Sequence, residues 1–255
     1  QPLKKQPLQK ADRTVRSALW LVLVAGILLL TGSYIALNVF RYTAQMDSDI
    51  AAEALNARAI WEHRSLIPKE FYPSTETRIL NVNLIGALFY GLTGDMNLSM
   101  GLACSVMLVI LVISYAGLLR NLGFRKESCA LGMLLLLALP GNLRHAQLLF
   151  VWADYYAIHC IIMLVTLRAW LSAIDEKRGW KIWVCAACAL SFVISLSGLR
   201  AALICYAPLM LTELIRWLNA VLKKSWTREF LRSGSCALGC LAMAFCGSLS
   251  PTAVG

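Results

Sequence analysis

An all-α, polytopic transmembrane helix bundle is the fold class this sequence predicts, and three observations predict it. Of its 255 residues 59% are hydrophobic and only 15% are charged, with a mean hydropathy of +0.65. Apolar runs of roughly 17 to 24 residues recur along the chain, the length at which a helix crosses the bilayer core. The Lys and Arg residues behind the net charge of +10 fall in short clusters between these runs, as they do in the cytoplasmic loops of membrane proteins. The basic balance therefore argues for topology, with the lipid bilayer as partner and no nucleic acid.

Residues 1–17 form a basic, polar cytoplasmic N-terminus. Residues 18–40 form the first transmembrane helix, too long for a signal peptide and without a small-residue cleavage site, hence an uncleaved anchor. Residues 41–95 form an extracytoplasmic loop carrying an amphipathic and an interfacial helix. Within it "ILNVNLIGALFYGL" is too short to span and re-enters or lies at the interface, and "GDMN" is a turn ahead of the next span. Residues 96–250 hold the remaining transmembrane bundle, with spans at 96–119, 147–166, 180–196, 201–217 and 233–249. Between the first two of these, "CALGMLLLLALP" is a short run that Pro140 and Gly141 end near a bilayer face. Together these make about seven hydrophobic passes. Residues 251–255 read as the start of a truncated continuation.

With the N-terminus cytoplasmic, 17 of the 24 Lys and Arg residues share one side. The other side keeps Arg41, Arg58, Arg64, Lys69, Arg78, Arg144 and Arg200, so the positive-inside rule gives one orientation. Most of the nine cysteines lie in apolar runs, where Cys packs as a small hydrophobe. Cys185 and Cys188 have CxxC spacing but no polar partner nearby, which favours helix packing over a metal or redox site. No nucleotide-binding loop, HExxH or dinucleotide turn appears.

The extracytoplasmic loop gathers Asp47, Asp49, Glu53, Glu62, Glu70 and Glu76, six of the chain's 14 acidic residues. From Asp49 to His63 the spacing predicts a surface helix: Ile50, Ala54, Ala57 and Trp61 share one face, and Asp49, Glu53 and Asn56 another. Trp61 would then sit at headgroup level. Asp47 and Ser48 are suited to cap that helix, and Glu62 and Glu70 to weak surface pairing with Arg64 and Lys69. Asp47 and Asp49 also stand just past the first span, where a lipid-borne substrate would meet an outward cavity. A carboxylate there can take a proton from a hydroxyl or hold a divalent cation against a phosphate.

A first span followed by the Asp-Ser-Asp of Asp47 to Asp49, then "AAEALNARAIWEHRSLIP" and "FYPSTETRILNVNLIGALFYGLTGD", resembles the first extracytoplasmic loop of the GT-C superfamily of integral membrane glycosyltransferases. It is most similar to bacterial members related to protein mannosyltransferases, over roughly residues 18–200. The resemblance implies a bacterial cell-membrane enzyme that transfers a sugar from a polyprenyl-phosphate donor to an extracytoplasmic acceptor. It implies that Asp47 or Asp49 is the base, with Glu53 beside them. It makes Glu76 a second acidic candidate and Arg78 its pair or a phosphate contact. The superfamily's usual adjacent acids are here separated by a serine, so the resemblance does not choose between the two. Superfamily members carry more spans and a further domain, so the chain is expected to be part of a longer protein.

Further polar residues fall at membrane depth. Asp154, Tyr155, Tyr156 and His159 lie in one apolar run, and Tyr155 and His159 share a helical face. The tyrosines are either interfacial belt residues or part of a site. His159 is either a core histidine or a donor-binding one. Arg200, in "SLSGLRAAL", either clamps a lipid phosphate or anchors a helix end, and Arg144 and His145 share that ambiguity. Two rival readings stand beside the transferase. One is a transporter or flippase using Asp154 and His159 as proton carriers; the other is a non-catalytic membrane subunit.

Overall fold

The computed structural model describes residues 5–69, 71, 79–152, 156–200, 202–225 and 227–249, and these are mainly helical, with no strand among them. Of the residues singled out by their sequence pattern, Glu70, Glu76, Arg78, Asp154, Tyr155 and the segment 251–255 lie outside the described residues.

Ten α-helices follow in order: α1 (Lys5–Arg41), α2 (Ser48–His63), α3 (Val82–Thr93), α4 (Met96–Asn121), α5 (Lys126–Ala138), α6 (Leu143–Leu149), α7 (Ala157–Ile174), α8 (Trp180–Ser195), α9 (Ala207–Leu222) and α10 (Arg228–Ser248). A 3-10 turn, Tyr42–Gln45, follows α1, and a π turn, Ala202–Tyr206, precedes α9. Among the described residues four helical stretches are long and apolar enough to cross a membrane: Val15–Ala44, Met96–Asn121, Ala157–Ile174 and Arg228–Ser248. A fifth is added if α5 and α6, bent by 115° across Pro140 and Gly141, count as one broken span.

Seven passes are therefore not reached by length and composition, and the reasons are local. α8 has 16 residues, a length of about 24 Å at the helical rise, short of a bilayer core of about 30 Å. The run at 201–217 is interrupted by the π turn, and α9 carries Glu213 and Arg216 in its middle. The predicted span at 147–166 is divided. Its start belongs to α6, the chain then turns at Trp152 with φ 59°, and α7 begins only at Ala157.

α4 is the central helix, flanked by α1, α3, α5 and α7, while α7, α8 and α10 pack together and α9 lies on α10. Close approach depends on small residues, as expected where lipid offers no hydrophobic drive between helices. A Cβ at Gly101 would run into the Asn38 carbonyl of α1, and one at Gly247 into the Phe192 carbonyl of α8. Ala103, Ala157, Ala169, Ala173, Ala187, Ala237 and Ala244 are fully buried, whereas Leu21, Val22, Leu28 and Leu29 of α1 face outward.

Contacts sort the helix ends into two sets. At one end Asn121 donates to the Arg168 carbonyl at 3.3 Å, Lys177 donates to the Asn121 carbonyl, and Arg232 donates to the Ala173 carbonyl at 3.0 Å. Lys126 stands over the Trp20 ring at 5.1 Å. At the other end Asn38, Arg41, the α6 region and the start of α7 meet. The Ile79 N–H donates to Ser197 just beyond α8 at 3.2 Å, and Arg216, past the middle of α9, meets Glu229 at the start of α10.

Candidate functional site

α1 leads through the 3-10 turn to an extended Met46 and then to Asp47, whose backbone (φ −110°, ψ −178°) is that of an N-cap. Its Oδ1 accepts from the Ile50 N–H at 2.9 Å, satisfying one of the donors that a helix start leaves open. Its Oδ2 stands 3.6 Å from Arg144 Nη1. Arg144 is placed by the chain break: Gly141 has φ 82°, and Asn142 caps α6 by accepting from the His145 N–H at 2.9 Å. Arg144 Nη1 also donates to Gln147 Oε1 at 3.0 Å, and His145 Nδ1 lies 3.0 Å from the Pro140 carbonyl.

Arg144 and Asp47 are 54% and 42% exposed, so their pairing is worth no more than about 1 kcal/mol. An incoming anion can open it at little cost. Asp49 lies exposed in the first turn of α2, and Glu53 is half-buried one turn further on.

α6 is joined to the start of α7 by a hydrogen bond from the Tyr156 N–H to the Leu148 carbonyl, 3.1 Å. Around Tyr156 the structure gathers two of the predicted residues. His159 is 6.1 Å away between ring centroids, and the Arg200 guanidinium lies 5.9 Å from the tyrosine ring. The aromatic between them is thus Tyr156, which is exposed. Cations from two chain segments, a carboxylate and an imidazole all stand at the end of the bundle where α1 gives way to α2.

Other details of α2 differ from what its sequence pattern predicts. Asn56 is buried with Ile50, Ala54, Ala57 and Ile60, because α2 packs on α3 and α4 instead of lying alone. Trp61 is half-buried and occupies the space a Cβ on Gly91 would need. Glu62 pairs with Arg58 at 2.7 Å, one turn back, and not with Arg64. That carboxylate holds the Arg58 guanidinium pKa above its ordinary value, chiefly by accepting its hydrogen bond. Arg64 covers the Trp61 ring at 3.7 Å. Cys188 meets Cys240, Sγ to Sγ 3.9 Å, and not Cys185. Among the described residues no group of three or more His, Cys, Asp or Glu side chains could hold a metal ion.

A polar cluster at the opposite end was not anticipated from the sequence. Glu213 is fully buried and accepts from Trp170 Nε1 at 2.9 Å, from Arg216 Nη1 at 2.8 Å, and from Ser233. Arg216, one of the residues counted on the cytoplasmic side, binds Glu213, Ser233 and Glu229 and lies 5.2 Å from both the Trp170 and Phe230 rings. The signal was present: in "LTELIRWL" a Glu and an Arg three residues apart share a face inside an apolar run.

In comparisons with protein-family models, curated proteins and solved structures, nothing matches the chain.

Proposed function

We propose that this protein is a membrane glycosyltransferase of the GT-C type, moving a sugar from a polyprenyl-phosphate donor to an extracytoplasmic acceptor. The observation that carries this reading is the pairing of Asp47 with Arg144, a carboxylate and a guanidinium held at the mouth of the bundle by two helix N-termini. In the proposed step the acceptor hydroxyl attacks the anomeric carbon and its proton passes to a carboxylate. The bond from that carbon to the phosphate oxygen breaks, and the phosphate leaves as an anion. Among the described residues Arg144 and Arg200 are two cations available for it, and Arg offers a phosphate two parallel N–H donors.

The phosphate and the base are coupled through one contact. Asp47 Oδ1 serves the α2 cap while Oδ2 faces Arg144. A phosphate drawn to Arg144 would release Oδ2 to receive the acceptor proton, and Asp49, exposed in the same turn, is the other base available. Near this end an apolar groove of about 260 Å³ between α1, α3 and α4, lined by Ile35, Phe89, Leu102 and Val106 among others, gives a polyprenyl chain a surface to lie against.

Topology supports the same reading. Arg120, Arg125, Lys126, Lys177, Arg178, Lys181, Lys223, Lys224, Arg228 and Arg232 belong to one end of the bundle, which makes that end, and the N-terminus with it, cytoplasmic by the positive-inside rule. α8 starts beside the last turns of α7, where Arg168 stands over the Trp183 ring at 3.8 Å, and ends near Ile79, while α9 packs on α10. We count these two and the bent α5 and α6 pair as spans, seven passes in all, with α2 and α3 on the extracytoplasmic face.

The test is to supply the purified protein, in lipid nanodiscs, with a pool of radiolabelled polyprenyl-phosphate sugars and membrane acceptors. Label moving from one donor to an acceptor supports the transferase. Label moving from none counts against it.

A further inference from the structure

α9 separates its surfaces sharply. Leu211, Leu214, Ile215, Leu218, Val221 and Leu222 are exposed, while Leu209, Met210, Glu213 and Ala220 are buried toward α10 and its neighbours. Where α9 ends, a groove of about 250 Å³ opens between it and the first turn of α10, lined by Arg216, Asn219, Lys223, Ser225, Glu229 and Phe230 among others. The polar corner therefore adjoins an outward apolar face on the same helix.

The groove is built on a buried anchor. Glu213, with none of its surface exposed, fixes Arg216 at 2.8 Å, and Ser233 and the flanking Trp170 and Phe230 rings hold the guanidinium in place. A guanidinium so held loses little further entropy when it binds an anion. Thr227 caps α10 without a side-chain hydrogen bond, and the helix start brings backbone N–H groups and the positive end of its dipole to the same corner. Glu229 is the opposing feature, pairing with Arg216 at 3.5 Å. Against it and Glu213 stand Arg216, Lys223, Lys224 and Arg228, leaving the corner net positive.

We propose that this groove binds the phosphate headgroup of an anionic phospholipid, with the acyl chains lying along the exposed apolar face of α9. The phosphate is received by Lys223 and by Arg216, beside its contact with Glu229. A free anion would have no use for the apolar face, so the lipid is the source. The site is at the end of the bundle away from Asp47 and does not depend on the transferase reading.

The test is native mass spectrometry of the full chain in detergent with added phosphatidylglycerol or phosphatidylcholine. Phosphatidylglycerol should be retained at least about ten-fold more strongly, and Lys223→Gln should weaken it about five-fold, the worth of one basic residue at an anionic surface. Because Arg216 alone cannot be removed without stranding Glu213, its share is read from the charge-neutral Glu213→Gln/Arg216→Gln pair, which should weaken retention by at least as much. Lys181→Gln, on an exposed lysine of the same end, should change nothing. Equal retention of the two lipids, no effect of Lys223→Gln or of the double variant, or an equal loss from Lys181→Gln would each overturn the site. Displacement of the lipid by millimolar inorganic phosphate would overturn the lipid assignment, since it would make the groove a free-anion site.

Discussion

Asn38, fully buried in α1, binds the backbone of Trp152: its Oδ1 accepts from the Trp152 N–H at 2.8 Å, while its Nδ2 donates to the Phe150 carbonyl at 3.0 Å. Trp152 has a positive φ of 59°, a conformation costly for a bulky residue. Its indole N–H adds a third tie by donating to the Arg41 carbonyl at 2.8 Å. The side chain of one helix thus holds open the turn between α6 and α7. Asn38→Leu would leave a buried N–H and a buried carbonyl without their partner, each worth about 1–3 kcal/mol. A fall in the thermal unfolding midpoint in detergent is the expected result. The exposed Leu37, as Leu37→Ala, should show little change.

Helix spacing gives a second prediction. A Cβ at Gly101 meets the Asn38 carbonyl, whereas one at Gly32 finds nothing within 4 Å. Gly101→Ala should push α1 and α4 apart and cost about 1–3 kcal/mol. Gly32→Ala should be tolerated, or stabilise by up to about 1 kcal/mol through helix propensity. The two midpoints, measured side by side, check this.

A third prediction concerns the buried pair. Arg216→Met leaves the Glu213 carboxylate buried without its cation, and losses of this kind run to about 3–5 kcal/mol. Glu213→Gln/Arg216→Gln removes both charges and should recover most of that. A double-mutant cycle on unfolding midpoints reads the coupling directly. Additive effects would mean that the pair is not coupled in the folded protein.

How far the sequence could reach is clearest at these same places. The spans that became α1, α4 and α10 were legible because long apolar runs have few other folds available to them. The break at Pro140 and Gly141 was legible too, from residues that end helices. The turn at Trp152 was not: it is held by Asn38, more than a hundred positions earlier, and a tryptophan within an apolar run carries no local mark of a positive φ. Asp47 was readable as a cap from its type and place, but its contact with Arg144 depends on how α6 folds back. Arg216 was counted with the charges of its own side, but its pairing with Glu213 was missed, the three-residue spacing of the two inside an apolar run being the informative feature.

A fourth prediction separates the two cations at the candidate site. Arg144→Gln removes the charge facing Asp47 and should raise the KM for the lipid donor. Arg200→Lys keeps a charge but loses the planar fork beside Tyr156, and should lower transfer by roughly ten-fold if a phosphate is gripped through two parallel bonds. Unchanged kinetics for both variants would remove these residues from donor binding.

The most direct measurement is sugar transfer by wild type and the Asp47→Asn/Asp49→Asn variant, with circular dichroism and unfolding midpoints recorded on the same samples. Asn caps a helix as well as Asp does, so α2 and the midpoint should be preserved while the carboxylates that could accept the acceptor's proton are gone. Transfer reduced to background in a variant that remains folded is the predicted result. Transfer at the wild-type rate would contradict the assignment of the base to the start of α2.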